Sequence, residues 1–105
     1  MKVKRSRFWA PALAAAALAA SASGFAQQGV DKDEIRIGTI QDLSGPLAAF
    51  GKQSRNGMQL AVDEINEQGG VNGRKLKLLV EDSGYDPKKA VLAAQKLVNQ
   101  DKIFI

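Results

Sequence analysis

The chain has 105 residues, 45% of them hydrophobic and 25% charged, and a formal net charge of +4. Lys2, Lys4, Arg5 and Arg7 carry four positive charges before residue 8, and from Gln27 onward 11 Lys or Arg face 11 Asp or Glu. That neutral remainder has no basic face, so no nucleic-acid partner is expected, and the absence of Cys and His removes disulfides, thiolate metal sites, a cysteine nucleophile and the usual general base, so no metal or cofactor is expected either.

Residues 1–26 read as a secretory signal. A basic start, MKVKRSR, leads into an apolar centre of 13 residues, Phe8 to Ala20, and small residues close it. Ala20-Ser21-Ala22 and Gly24-Phe25-Ala26 are candidate cleavage sites, and cutting is expected after Ala26, before the polar Gln27-Gln28-Gly29. The Ala-rich centre is short for a bilayer crossing, and Arg5-Ser6-Arg7 is a split pair that disfavours a twin-arginine route. With no cysteine to carry a lipid tether, an exported protein is retained only behind a second membrane, so the periplasm is the expected location. Residues 27–105 then form the mature part, a length that supports only a modest core.

Gln27 to Glu34 is polar and reads as a flexible lead-in. Ile35 to Ile40 is a β-branched run expected to be a first, mostly buried strand. Gln41 to Gly51 is a long loop, a length that often marks function. A helix is expected from about Lys52 to Glu67, with Met58, Ala61, Val62 and Ile65 on one buried stripe and Asp63, Glu64 and Glu67 on a solvated face. Gly69-Gly70 stops it, and Asn72-Gly73 marks a tight turn. Leu76, Leu78 and Val80 form a second strand whose lysines suit a sheet edge. Asp86 then Pro87 is an N-cap followed by a first-turn proline. The helix that follows is expected to bury Ala90, Val91, Ala94, Leu97 and Val98, and Ile103 opens a third strand. A parallel strand with no crossover after it reads as the front end of a longer protein.

The order βαβαβ with helical crossovers implies an α/β fold with a parallel sheet, in flavodoxin-like order, whose first and third strands are neighbours. Ligands of such sheets bind at loops beyond the carboxyl ends of the strands. The loop after the first strand is therefore the candidate site, with Ser44, Gly45 and Phe50 in it. It is a poor phosphate loop. Five residues separate Gly45 from Gly51, Pro46 has no amide to donate, and Gln53 follows Lys52 where a hydroxyl is needed. Phe50 either contacts a ligand or pins its loop to the sheet. Ser44 either donates to a carboxylate or caps the loop backbone. Asp82 and Ser83 leave the second strand at the same end and read as turn and capping residues.

Three runs in fixed order, DLSGPLAAFG, GMQLAVDEINEQGGVNGRKL and EDSGYDPKKAV, resemble the amino-terminal lobe of type I periplasmic binding proteins, in particular the leucine/isoleucine/valine-binding family of ABC importer receptors. The resemblance covers roughly Glu34 to Ile105. It implies two α/β lobes closing on a ligand across a hinge, the second lobe lying beyond this sequence. It implies that Phe50 touches the ligand's side chain, where well-known amino-acid binders carry Tyr or Trp. The groups that hold the ligand's charges would follow the third strand. Tyr85 stands where some members have a cysteine.

The expected function is an extracytoplasmic solute receptor, not an enzyme, that binds a branched-chain or related amino acid by hinge closure and delivers it to an ABC permease in the inner membrane. Ser44 and Gly45 would line the first-lobe wall with Phe50. The alternatives are a sensor ectodomain with the same lobe and a secreted α/β hydrolase, for which Ser44 lacks both a GxSxG context and a histidine partner.

Overall fold

The β-branched residues Ile35, Ile37, Thr39 and Ile40 favour an extended, half-covered backbone, and they form the first strand in the computed structural model, which describes residues 26–105. Strand β1 spans Glu34–Gln41 and pairs in parallel with β2, Lys75–Asp82, in a register running from Glu34 opposite Lys75 to Gln41 opposite Asp82. Two helices alternate with them: α1, Ala48–Glu67, and α2, Pro87–Asn99. The expected leader lies, apart from Ala26, outside the described residues. No helix among the described residues is long and apolar enough to cross a membrane.

The third strand is present only in outline. Ile103–Ile105 lies along the free edge of β1, where the Phe104 amide donates to the Arg36 carbonyl and the Gly38 amide donates to Ile105, both at 2.8 Å. Two bonds are too few for a regular strand. They do set the lateral order, with β1 between β2 and Ile103–Ile105, as the flavodoxin-like order requires. The lead-in differs from its expectation. Gln28 donates through Nε2 to the carbonyls of Val98 and Ile103, and Arg36 donates its amide to the Gly29 carbonyl at 2.8 Å. Polar composition hid a segment tied down by its side-chain and backbone hydrogen bonds.

Helix α1 begins at Ala48, not at Lys52, so the first loop shrinks to Asp42–Leu47. Its cap residue Leu47 offers no side-chain acceptor; the Gly45 carbonyl accepts from the Ala48 amide instead, and two alanines propagate the turn. Only Gly51 and Val62 of this helix are buried, while Met58, Ala61 and Ile65 of the expected stripe remain partly exposed. The helix is tied down differently at its end. The Asn66 side chain accepts from the Leu76 amide and donates to the Leu76 carbonyl, each at 2.8 Å, fastening α1 to the start of β2. Gly69 and Gly70, both with positive φ, end α1. Asn72 (φ 51°) and Gly73 (φ 78°) make the two-residue turn between Val71 and Arg74.

Helix α2 starts as expected: the Asp86 side chain accepts from the Lys89 amide at 2.9 Å and Pro87 occupies the first turn. Its buried residues are Ala93 and Leu97, with Ala90 and Ala94 half-buried. Val91 and Val98 face outward, contrary to the expected stripe. An alanine face lets the helix sit close to the sheet, so that Leu97, 2% exposed, fills the space between helix and strands.

Candidate functional site

Both strands end at the same side of the sheet, and the two strand-to-helix loops, Asp42–Leu47 and Ser83–Asp86, lie against each other there. Each loop opens on similar residue types: Asp42-Leu43-Ser44-Gly45 after β1, and Asp82-Ser83-Gly84 at the end of β2. Asp82 reaches across to the first loop. Its Oδ1 accepts from the amides of Leu43 at 2.8 Å and Ser44 at 3.3 Å, and from Gly84 of its own loop at 2.8 Å. Its Oδ2 accepts from the Ser44 hydroxyl at 2.6 Å.

Asp42 reaches the other way. Its Oδ1 accepts from the Ser83 hydroxyl and from the Tyr85 amide, the latter at 3.1 Å. Ser83 is buried, and Tyr85, whose amide donates to Asp42, has a positive φ of 59°, a conformation that a bulky side chain otherwise avoids. The backbones are in contact as well. Gly45 has φ +79°, and a Cβ there would lie 2.9 Å from the Gly84 carbonyl oxygen. Gly51, one turn into α1, sits so close to the first loop that a Cβ would fall 1.9 Å from the Asp42 carbonyl oxygen.

These hydrogen bonds have an electrostatic consequence. The Ser44 hydroxyl, then the Leu43 and Gly84 amides, stabilise the ionised form of Asp82 and hold its carboxyl down to about 2. The aspartate is ionised near neutral pH with or without the loop; the folded loop extends that ionisation into more acidic solution.

Ser44, Gly45 and Phe50 thus stand at one end of the sheet but in different roles. The Ser44 proton goes to Asp82, and Gly45 is the point of contact between the loops. Phe50 lies in the first turn of α1, not in the loop, with 69% of its surface exposed. Asp82 and Ser83 act as turn and capping residues, as their positions in the sequence indicate. Asp42 is the residue that sequence reasoning passed over. Its signal was the near-repeat of Asp, Ser and Gly after the two strands. An open depression of about 500 Å3 beside the second loop is lined by Asp42, Ser83, Tyr85, Asp86, Pro87 and Ala90; Phe50 stands outside it. Among the described residues no cluster of acidic side chains has the arrangement of a metal site.

A β-α-β-α unit with two paired parallel strands is an α/β fold. The profile of the periplasmic binding protein family matches residues 34–105, from the first residue of β1 onward, and the chain belongs to that family. It is 47% identical over 72 residues to the Leu/Ile/Val-binding protein BraC3 of Rhizobium johnstonii, across 69% of this chain and 20% of that protein. It is 39% identical over 83 residues to the leucine-, isoleucine-, valine-, threonine- and alanine-binding protein of Pseudomonas aeruginosa, across 79% and 22%. Two solved structures superpose well. The branched-chain amino acid transporter substrate-binding protein LivJ of Streptococcus pneumoniae, in complex with isoleucine, gives a TM-score of 0.65 at 38% identity over 68% of this chain and 20% of that one. A fatty acid ABC transporter substrate-binding protein from Thermomonospora curvata gives 0.69 at 40% identity over 71% and 19%. These relatives put the chain in the type I branch, beside proteins that are themselves named for binding leucine, isoleucine and valine. The chain spans about one fifth of the length of the relatives it matches.

Proposed function

We propose that this chain contributes the first-lobe wall of an exported solute receptor for an ABC importer, which binds a branched-chain or related amino acid and performs no chemistry on it. The observation that carries the proposal is the continuous family match over residues 34–105, with relatives whose names specify leucine, isoleucine and valine. The geometry supports it. Two mutually braced loops present a polar backbone edge, and beside them Phe50 offers exposed apolar surface to an aliphatic side chain.

In this reading residues 1–26 are a leader removed after Ala26, residues 27–105 are the beginning of the first lobe, and the receptor works in the periplasm. The solute bridges two lobes, stabilises the closed form and presents it to the permease in the inner membrane. A second solute class is favoured by one observation. The Thermomonospora curvata relative is a fatty acid transporter protein, and an apolar wall at Phe50 suits a longer carboxylate equally well.

The test is thermal melting of the full-length polypeptide with leucine, isoleucine, valine and a series of fatty acids. A ligand present at 100 times its Kd adds about 2.7 kcal/mol of stability, which a melt resolves easily. A shift with the branched-chain amino acids alone is the expected outcome. A shift only with fatty acids would favour the second class, and no shift with either would sink the receptor reading.

A further inference from the structure

The loops that end β1 and β2 are not held independently. Asp42 leaves β1 and holds the second loop through Ser83 and Tyr85; Asp82 ends β2 and holds the first through Leu43 and Ser44. Ser44 has a single hydroxyl proton, and Asp82 takes it at 2.6 Å. The serine therefore faces solvent with acceptor lone pairs only and has no proton for a solute carboxylate. The shape of this loop depends on a carboxylate that itself belongs to the neighbouring strand.

We propose that Asp82 is the positioning residue of the solute-facing loop, and that Asp42 is its counterpart for the second loop, so that the crossed pair makes the two loops one rigid wall. The inference rests on the reading given under Proposed function. Its physical content is preorganisation: a wall already set in its bound shape loses less conformational freedom when the solute arrives. Ser44 then matters to affinity only through Asp82. That separates it from a residue that touches solute, whose loss would add to any loss at Asp82.

The experiment is a double-mutant cycle in the full-length polypeptide, with isoleucine titrated calorimetrically into Asp82→Asn, Ser44→Ala and the double variant. Hydrogen exchange is followed over peptides covering residues 42–47 and 83–86. Each single variant is expected to weaken binding roughly fivefold, the scale of one lost hydrogen bond, and the double variant no more than either. Ser44→Thr, which keeps the hydroxyl, restores affinity. Exchange should accelerate over 42–47 in Asp82→Asn and over 83–86 in Asp42→Asn, while β1 and α1 keep their protection. Additive losses would overturn the proposal by making Ser44 a direct contact. Unchanged affinity in Asp82→Asn, with wild-type binding intact, would overturn the positioning role and leave the receptor reading standing. If the wild type binds no solute, the receptor reading fails; the exchange pattern then decides alone, its crossed form sustaining the latch and unaltered exchange overturning it.

Discussion

Asp82 shows how one carboxylate organises backbone far from it in sequence. Its partners Leu43 and Ser44 lie 39 and 38 positions away, and it accepts from both while bonding Gly84 beside it. A carboxyl held to about 2 on folding, against an ordinary 3.8, stabilises the folded state fully above its ordinary value. That contribution is lost as pH falls through about 2. Asp82→Asn is thus expected to melt below the wild type at neutral pH, with the two curves converging as the pH falls from about 4 to about 2. A gap that stayed constant with pH would assign the effect to packing. Phe50 makes a contrasting case. With 69% of its surface exposed it contributes little to the apo fold. Phe50→Ala is expected to leave the apo melting point nearly unchanged and to shrink the solute-induced shift. An unaltered shift would return Phe50 to loop packing.

At the scale of elements, the two helices are held by different means, and substitutions separate them. Helix α2 is set by its cap: Asp86→Ala removes the acceptor of the Lys89 amide and is expected to cost about 1 kcal/mol in urea unfolding. Helix α1 has no side-chain cap and is fixed at its far end by Asn66. Asn66→Ala strands the Leu76 amide and carbonyl at once, so its expected cost is larger, about 2 kcal/mol. Equal costs for the two variants would contradict this division. The same contrast explains what was legible. Asp86-Pro87 is a local signal and placed the start of α2 correctly. The start of α1 carries no Ser, Thr, Asp or Asn at its cap, and the helix extends four residues further than its sequence announced. The α2 stripe was misread because Ala90, Ala93, Ala94 and Leu97 share their helical spacing with Val91, Ala94 and Val98. Apolar spacing alone does not choose between two adjacent faces of one helix.

At the scale of the whole described unit, the core is thin. Val62, Ala93 and Leu97 are its buried apolar residues, whereas Leu60, Val91, Leu92 and Ile105 are more than half exposed. Three residues at that depth bury too little surface to offset the ordering of some eighty (~80) residues. Residues 27–105 produced alone are therefore expected to melt broadly and to bind a hydrophobic dye before melting. A sharp, dye-free transition would show that the unit folds by itself. The edge at Ile103–Ile105 points the same way, since only two of its backbone hydrogen bonds reach β1.

Local chemistry by itself determined the alternation of strands and helices, the stops at Gly69-Gly70 and Asn72-Gly73, the Asp86 cap and, through motif order, the family. Each is written in residues that are neighbours along the chain, where backbone propensity and capping act. The tertiary structure decided the rest: which face of α2 turns inward, that Ser44 bonds Asp82, and that Asp42 and Asp82 cross to hold each other's loops. Those choices depend on the parallel register that brings Gln41 beside Asp82, and pairing of that kind joins residues some forty (~40) positions apart, beyond the reach of any local pattern.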